Sequence, residues 1–553
     1  MKNLILLVMA VMLFVITGCS TLCKEKSVCG KIKKENALKI GWASTDISTK
    51  EPVFITGQFH VRISSGILDP ITATALWIDN GKESVCFVSA DLISVGSGLL
   101  DEVSSVVKKC NPAVPVGKII LNATHTHTSA NYGRKSPVCK GDHTSADPYI
   151  APTSIKTYPS PAYRKFLVSK LAHIICKAYE NRKEGGFAYG YGFATVGHNR
   201  RAVYKDDTSK RPGAAKNSTN NVHGYARMYG SSYDKMFYGY EGGNDAFVNI
   251  LFTFDKNKKL TGAIINIPCP SQNSESLWKI SASFWNEARE NIRKKYGNIF
   301  ILPQSGAAGD LSPRQLHYLK AERRRHALKY ERKEAYREEF RRKEIGERIA
   351  KAFDDVYFWA KKDIIESAQI RHEIKILSLP PRHISKADYD DAVKSLAELN
   401  KKSFVPEGND PQKALRVNSI LVSGRNRYRG IITRWKNQQK NEPFKTQTHV
   451  LHIGDVAFAS NQFELYQDYM HRIQGRSQFI QTFVIQLAAV NGNGYGGYLA
   501  TKRSVENRGY GSDRFSNRVS WKGGDMLVDE TVKILDRFYE AQNSERKKST
   551  EKK

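Results

Sequence analysis

Beyond its first sixteen residues, this 553-residue chain contains no long hydrophobic run. A membrane-spanning helix needs roughly 18 or more consecutive apolar residues, and no later segment reaches that length, which excludes a chain threaded through a bilayer. Internal repeats are also missing. The body of roughly 500 residues therefore reads as one large unit with insertions. Acidic residues are scarce: 55 Asp and Glu face 86 Lys and Arg, a formal net charge of +31. Nucleic acid is the reflexive partner for such a chain. The compartment implied by the N-terminus argues against it, and anionic headgroups or an acidic polysaccharide suit an exported protein better.

The N-terminus carries a processing signal. Met1-Lys2-Asn3 is a short positive start, Leu4 to Ile16 an apolar core, and Ile16-Thr17-Gly18-Cys19 closes it. Small residues followed directly by Cys resemble a bacterial lipoprotein signal, with an ordinary cleaved signal as the alternative. The expectation is a signal over residues 1–18, lipid on Cys19, and a chain anchored on the periplasmic or extracellular face of the cell envelope. Residues 19–37 then form a polar tether, 38–541 the catalytic body, and 542–553 a disordered tail. Of eight cysteines, Cys19 goes to lipid. The pairing of the rest cannot be deduced, but an odd remainder permits one thiol with another task.

The fold class reads as α/β, with mixed, partly parallel sheets and flanking helices. Two apolar segments flank Asn80-Gly81, a strong hairpin signal. The second ends at Asp91, a strand-end carboxylate that can orient a histidine, with a structural role as the favoured alternative. A helix from Leu99 to Lys109 leads to the apolar run Lys118-Ile119-Ile120-Leu121, giving a β-α-β order. A helix is expected over Ala162–Asn181, then a long Tyr- and Gly-rich excursion over 198–245. Strands over Phe247–Phe254 and Leu260–Ile267 follow, with a helix over Phe284–Tyr296 and a short strand over Ile299–Pro303. An insertion over about 314–362 contains Arg323-Arg324-Arg325 and Arg341-Arg342-Lys343. In its second half Phe340, Ile345, Ile349, Phe353 and Val356 recur at helical spacing, so it reads as a long amphipathic helix with a solvated basic face. A strand pair around Gly454-Asp455, a helix over Phe463–Ile473, a strand over Phe483–Val490 and a closing helix over Met526–Ala541 complete the reading.

Chemistry concentrates after the first buried strand, in Thr124-His125-Thr126-His127-Thr128. Histidines at i and i+2 on a strand end share a side, and imidazole is the commonest zinc ligand. The alternative is a hydrogen-bonded pair at a sheet edge. Four more segments join them. Ile265-Asn266-Ile267-Pro268-Cys269 puts a thiol at a strand end, and Gln304 to Pro313 is a glycine-rich turn ending in Ser312-Pro313. Asn461-Gln462-Phe463-Glu464 brings a carboxylate to a strand-to-helix junction, and Asn493 to Thr501 is a flexible loop holding Tyr495 and Tyr498.

In this order the five segments resemble the neutral/alkaline (non-lysosomal) ceramidase family, over roughly Ile40 to Ala541. The family's separate C-terminal immunoglobulin-like domain is expected to be missing. The resemblance implies one zinc per chain, held by His125, Glu464, Tyr498 and, where the family has a second histidine, Cys269. It implies Ser312 at the reacting centre, Tyr510 as an active-site donor, and Arg200 as a substrate contact within Asn199-Arg200-Arg201. Zinc would polarise a carbonyl and acidify a water or the Ser312 hydroxyl. Gly309 and its neighbours would supply oxyanion donors, with Asp310 beside them, and His127 would pass a proton to the leaving amine. The expected activity is cleavage of an N-acyl amide bond in a sphingolipid-like or other acylated substrate. Two alternatives remain open: a metal hydrolase of a polar glycan or acyl amino sugar, and an inactive lipid-anchored protein that binds polyanions.

Overall fold

Asn80-Gly81 turns the chain as its chemistry requires. Gly81 adopts φ +84°, a left-handed conformation open to glycine, while the Asn80 side-chain oxygen accepts the Lys82 and Glu83 amides at 3.0 and 2.8 Å. The flanking segments zip into antiparallel strands with Asp79 opposite Ser84. They belong to a computed structural model that describes residues 36–96, 98–135, 138–140, 148–214, 222–331, 337–440, 442–492 and 496–551. The expected signal, Cys19, nearly all of the tether and Tyr495 lie outside these residues. No described helix is long and apolar enough to cross a membrane.

The first sheet has eight strands: β1 (Lys39–Asp46), β2 (Thr72–Asp79), β3 (Ser84–Ala90), β4 (Ile119–Ala123), β5 (Lys183–Phe193), β6 (Phe247–Asp255), β7 (Leu260–Ile267) and β8 (Phe300–Ser305). Their order is β8-β7-β6-β5-β1-β2-β3-β4. The outermost pairs, β7 with β8 and β3 with β4, are parallel, and the inner ones antiparallel. A second, four-stranded sheet joins β9 (Ile370–Leu379), β10 (Phe444–Ile453), β11 (Val456–Ser460) and β12 (Gln481–Ile485), the last two parallel.

Side-chain alternation sorts the residues into layers. Leu76, Ile78, Val85 and Phe87 pack against Leu451, Ile453, Phe458 and Phe483 of the second sheet. The intervening Ala75, Trp77, Cys86 and Val88 pack outward under α1 (Leu99–Cys110), α2 (Ser160–Glu180), α3 (Phe284–Tyr296) and the insertion. Sheet on sheet with helices outside makes four layers, and both sheet faces are covered. That is why β2 and β3 read as nearly unbroken apolar runs.

The insertion is two helices, α4 (Leu319–Lys329) and α5 (Arg337–Ala360). Phe340, Ile345, Ile349, Phe353 and Val356 are all buried, as their spacing implied. The solvated basic face needs correction. Arg323, Arg324 and Arg325 are exposed, but Arg341 pairs with Glu322 of α4, Arg342 pairs with Glu287 of α3, and both arginines are 8% exposed. Their partners sit on neighbouring helices, which one helix's periodicity cannot reveal. Sequence reading also passed over two helices, α6 (Lys386–Asn400) and α7 (Pro411–Asn437). Each starts at a clear cap, Ser385 with Asp388 and Asp410 before Pro411. Next come α8 (Gln467–Arg476), which starts later than expected because Glu464 and Leu465 are still extended, and α9 (Trp521–Glu551). α9 runs through most of the segment expected to be a disordered tail. The strand expected over Phe483–Val490 stops at Ile485, and Leu487 takes φ +53°.

Candidate active site

Three parallel strand pairs end toward one region: β3 with β4, β7 with β8, and β11 with β12. Carboxyl ends of strands are where α/β sheets place chemistry. Beyond β4, Ala123 N–H donates to the Leu487 carbonyl (3.2 Å) and Thr124 N–H to Ala90 (3.1 Å), stitching the turn to its neighbours. His125 then sits at φ +62°, a left-handed conformation that costs a side-chain-bearing residue about 1–2 kcal/mol. Its ring is pinned by Nδ1 against the Ile93 carbonyl at 2.6 Å.

His125 Nε2 lies 3.4 Å from Glu464 Oε2 and 3.2 Å from His127 Nε2. Glu464 and Tyr498 are register partners in a short parallel bridge, and the Tyr498 hydroxyl hydrogen-bonds the Glu464 carboxylate. Arg200 donates to the Tyr498 hydroxyl at 3.0 Å and to the Gly309 carbonyl at 2.8 Å. Burial would push the Glu464 carboxyl up. His125, with Arg200 and Tyr498, outweighs it and holds the pKa at about 2, so the group is a carboxylate. The Tyr510 ring meets Tyr498 edge-on at 5.6 Å, and burial, then Glu464, pushes its phenol to about 12.

Ser312 is fully buried and connects to the histidines through residues the sequence reading missed. The Tyr229 hydroxyl lies 3.3 Å from Ser312 Oγ and 3.4 Å from Gln272 Oε1, and Gln272 Nε2 lies 2.9 Å from His127 Nε2. Glu275 Oε2 faces His127 Nδ1 at 3.2 Å and is also paired with Arg314 at 2.8 Å. A polar chain thus runs from Ser312 through Tyr229, Gln272 and His127 to His125. Tyr229, Gln272 and Glu275 sit in irregular segments with no periodicity to mark them.

Other expected residues are placed differently. Cys269 Sγ faces the Pro270 carbonyl at 3.5 Å, and its side chain packs in the core beneath α3 and α5. Burial pushes that thiol well above its usual range. Among the described residues no three His, Cys, Asp or Glu side chains close around one point. The Gly309 N–H is not open to an oxyanion, because it donates to the Leu465 carbonyl at 2.8 Å. Its lack of a side chain has a different reason: an added Cβ would lie 2.4 Å from the Glu464 carbonyl oxygen. Asp310 braces the loop, accepting from Gln467 N–H at 3.0 Å and Asn199 Nδ2 at 3.2 Å. Asp91 orients no histidine. It pairs with Arg289 at 2.8 Å and accepts from Thr72 and Thr124.

Behind the site, the excursion over 198–245 is clamped to the loop carrying Tyr510. Buried Arg201 pairs with Glu241 and donates to the carbonyls of Tyr510 (2.7 Å) and Arg508 (2.6 Å). Gly57, at φ +101°, passes so close to His127 that an added Cβ would sit 2.5 Å from the His127 Cβ. Gly57→Ala is expected to cost about 2 kcal/mol or more and lower the thermal midpoint. An unchanged midpoint in calorimetry would show that the segment yields freely.

Over 91% of its length the chain has the fold of two solved ceramidase structures. The neutral ceramidase from Pseudomonas aeruginosa superposes with a TM-score of 0.60 at 16% identity, covering 91% of this chain and 75% of that one. A ceramidase complexed with C2 gives 0.57 at 16% identity, with 91% and 76% covered. The architecture is ceramidase-like. No family model matches the chain, and no curated protein does.

Proposed function

We propose that the chain is a metal-dependent hydrolase that cleaves an N-acyl amide bond in a sphingolipid-like or other acylated substrate. The observation that carries this is the meeting of His125, Glu464 and Tyr498 at one end of a polar chain that reaches Ser312 at the other. The donors suit zinc. His125 Nδ1 is held 2.6 Å from the Ile93 carbonyl, which points Nε2 at an ionised, buried carboxylate beside a phenol. His125, Glu464 and Tyr498 would hold the ion. Bound zinc would polarise the scissile carbonyl and make a hydroxyl or water acidic enough to attack near neutral pH.

The rest is the work of the chain's own groups. Ser312 Oγ, or a water beside it, adds to the carbonyl carbon as Tyr229 exchanges the hydroxyl proton. The C–N bond then breaks while His127 passes a proton to the departing amine, and where serine has attacked, water hydrolyses the resulting ester. Arg200, a cation whose charge is upheld by Tyr498, Tyr229 and Glu464 against the cost of burial, faces the charge that builds on oxygen. The Tyr510 phenol stays protonated and serves as a second donor. The reading's N-terminal part is an envelope lipoprotein anchored through Cys19, which would keep the site near membrane lipid.

The exposed tyrosines Tyr225, Tyr233 and Tyr238 of the excursion favour a second substrate class, a polar acylated amino sugar. The test is metal analysis of the purified protein together with a screen of N-acyl sphingoid bases and N-acyl amino sugars. About one zinc per chain is expected, and Glu464→Ala should lose both metal and turnover. Metal-free protein that binds polyanions with a steep salt dependence would point to a binder gripping through Arg323 to Arg325.

A further inference from the structure

We infer that the exposed stripe of α4, with the tyrosines of the excursion beside it, docks this chain on a bilayer rich in anionic lipid. The inference goes beyond the hydrolase reading and does not depend on it.

The sides of α4 have different fates. Glu322 and His326, one turn apart, are buried against α5, where Glu322 pairs with Arg341 and His326 meets the Phe340 ring at 5.6 Å. Another stripe, Tyr318, Ala321, Arg325 and Leu328, recurs at spacings of three and four and lies in solvent. Tyr318 is 73% exposed and Leu328 64%. A groove of about 710 Å³ runs along that stripe, lined by Tyr318, Ala321, Arg324, Arg325 and Leu328 among others. Its size suits a small polar group such as a lipid headgroup.

The aromatic surface continues into the excursion. The Tyr318 ring meets His317 at 5.2 Å, and His317 meets Tyr240 at 5.6 Å. Tyr238 shares a face with Tyr240 on the strand Phe237–Tyr240 and is 74% exposed. Ser232 Oγ, bonded to the Leu316 carbonyl at 3.4 Å, fastens the two segments together.

Charge on this surface is of one sign. Lys320, Arg323 and Arg324 are exposed, and among the described residues no carboxylate pairs with them. The acids close by are taken: Glu344 and Glu347 by Arg325 and Lys329, Asp206 and Asp234 by Arg211. A soluble polyanion would need only the cations. Tyrosine and leucine beside them fit a partner with an apolar layer beneath its charge, where a phenol sits at headgroup level with its ring against acyl chains. Each Lys or Arg near such a surface adds attraction. The position also suits a lipid-facing role, since Arg314, between Ser312 and this stripe, lies 5.7 Å over the Tyr229 ring.

The test uses the full chain carrying Cys19→Ser, so that no acyl anchor contributes. It is titrated with vesicles of phosphatidylcholine alone and of phosphatidylcholine and phosphatidylglycerol in equal parts, and partition is read by sedimentation. Partition onto the anionic vesicles should be about 100-fold stronger, and the difference should close in high salt. Adding Lys320→Gln, Arg323→Gln and Arg324→Gln together should weaken anionic binding about 100-fold, with the thermal midpoint unchanged. Adding Tyr318→Ser with Leu328→Ser should weaken it about 10-fold. Equal partition onto both vesicles overturns the inference, as does either multiple variant binding like the Cys19→Ser chain. A chain that ignores vesicles but binds a soluble acidic polysaccharide overturns it in favour of that polymer. Turnover and zinc content test the hydrolase reading separately, so failure of one leaves the other standing.

Discussion

Replacing Ser312 by alanine is expected to lower turnover by about four to six orders of magnitude while fold and metal content stay as they were. The size follows from what the hydroxyl alone does. Ser312 Oγ accepts from Arg314 N–H at 3.2 Å and lies 3.3 Å from the Tyr229 hydroxyl, the first link to the histidines. The backbone pairing of Ser312 with His198 survives the change, and only one oxygen leaves the packed interior. A loss through misfolding would instead lower the thermal midpoint and zinc content together. Steady-state turnover of an N-acyl sphingoid substrate, beside metal analysis, is the measurement. Parental turnover in Ser312→Ala would strip the residue of any chemical role and move attention to a water held by the same polar chain.

Arg201→Met should give the largest loss of stability, about 3–5 kcal/mol, because it strands the Glu241 carboxylate without its cation. Arg201 is 1% exposed and joins segments about three hundred positions apart: Glu241 in the excursion and the carbonyls of Ser504, Arg508 and Tyr510 in the loop beside the site. Ser504 and Asn507 also donate to Glu241, so the carboxylate keeps two partners but no neutralising charge. Burial would raise the Glu241 pKa. Arg201 outweighs it and holds the group below the ordinary carboxylate range. A depressed carboxyl stabilises fully above its unfolded-state pKa and loses that contribution as pH falls through the folded value. In the parent the pair's contribution therefore fades only in acid, and Arg201→Met should flatten that acid limb as well as lower the midpoint. Denaturant unfolding at neutral and acid pH reads both. An unchanged midpoint would mean that the clamp is redundant.

The legible part of this molecule is the part set by local chemistry. The Asn80-Gly81 hairpin, the β-α-β step into β4 and the buried stripe of α5 follow from neighbouring residues alone. The strand-end position of His125 was legible for the same reason. Ser312, read as part of a turn, and Glu464, read at a strand-to-helix junction, lie instead in short strands. The structure brings all three, with Tyr498 and Arg200, into one neighbourhood. What failed depended on the third dimension. Period-two alternation does not persist past a strand's last hydrogen bond, so nothing at Ile267-Pro268-Cys269 told which side the thiol would face. The charge on Arg341 and Arg342 looked solvated because their carboxylate partners lie on other helices. Gln272, Tyr229 and Glu275 occupy irregular loops, where residue type is the only signal and polar residues are common. The α6 and α7 pair went unread although its caps are ordinary, since its apolar stripes are thin and much of its surface is charged.

Because His125 follows the last strand of the first sheet while Glu464 lies in a separate two-residue bridge with Tyr498–Leu499 after the third strand of the second, the meeting point belongs to neither sheet. A partly synthesised chain can complete the hairpin, β4 and the whole eight-stranded sheet and still possess no working centre. Whatever hydrolytic power the finished molecule has is withheld until its last quarter closes the second sheet over the first, a timing built into the order of its segments.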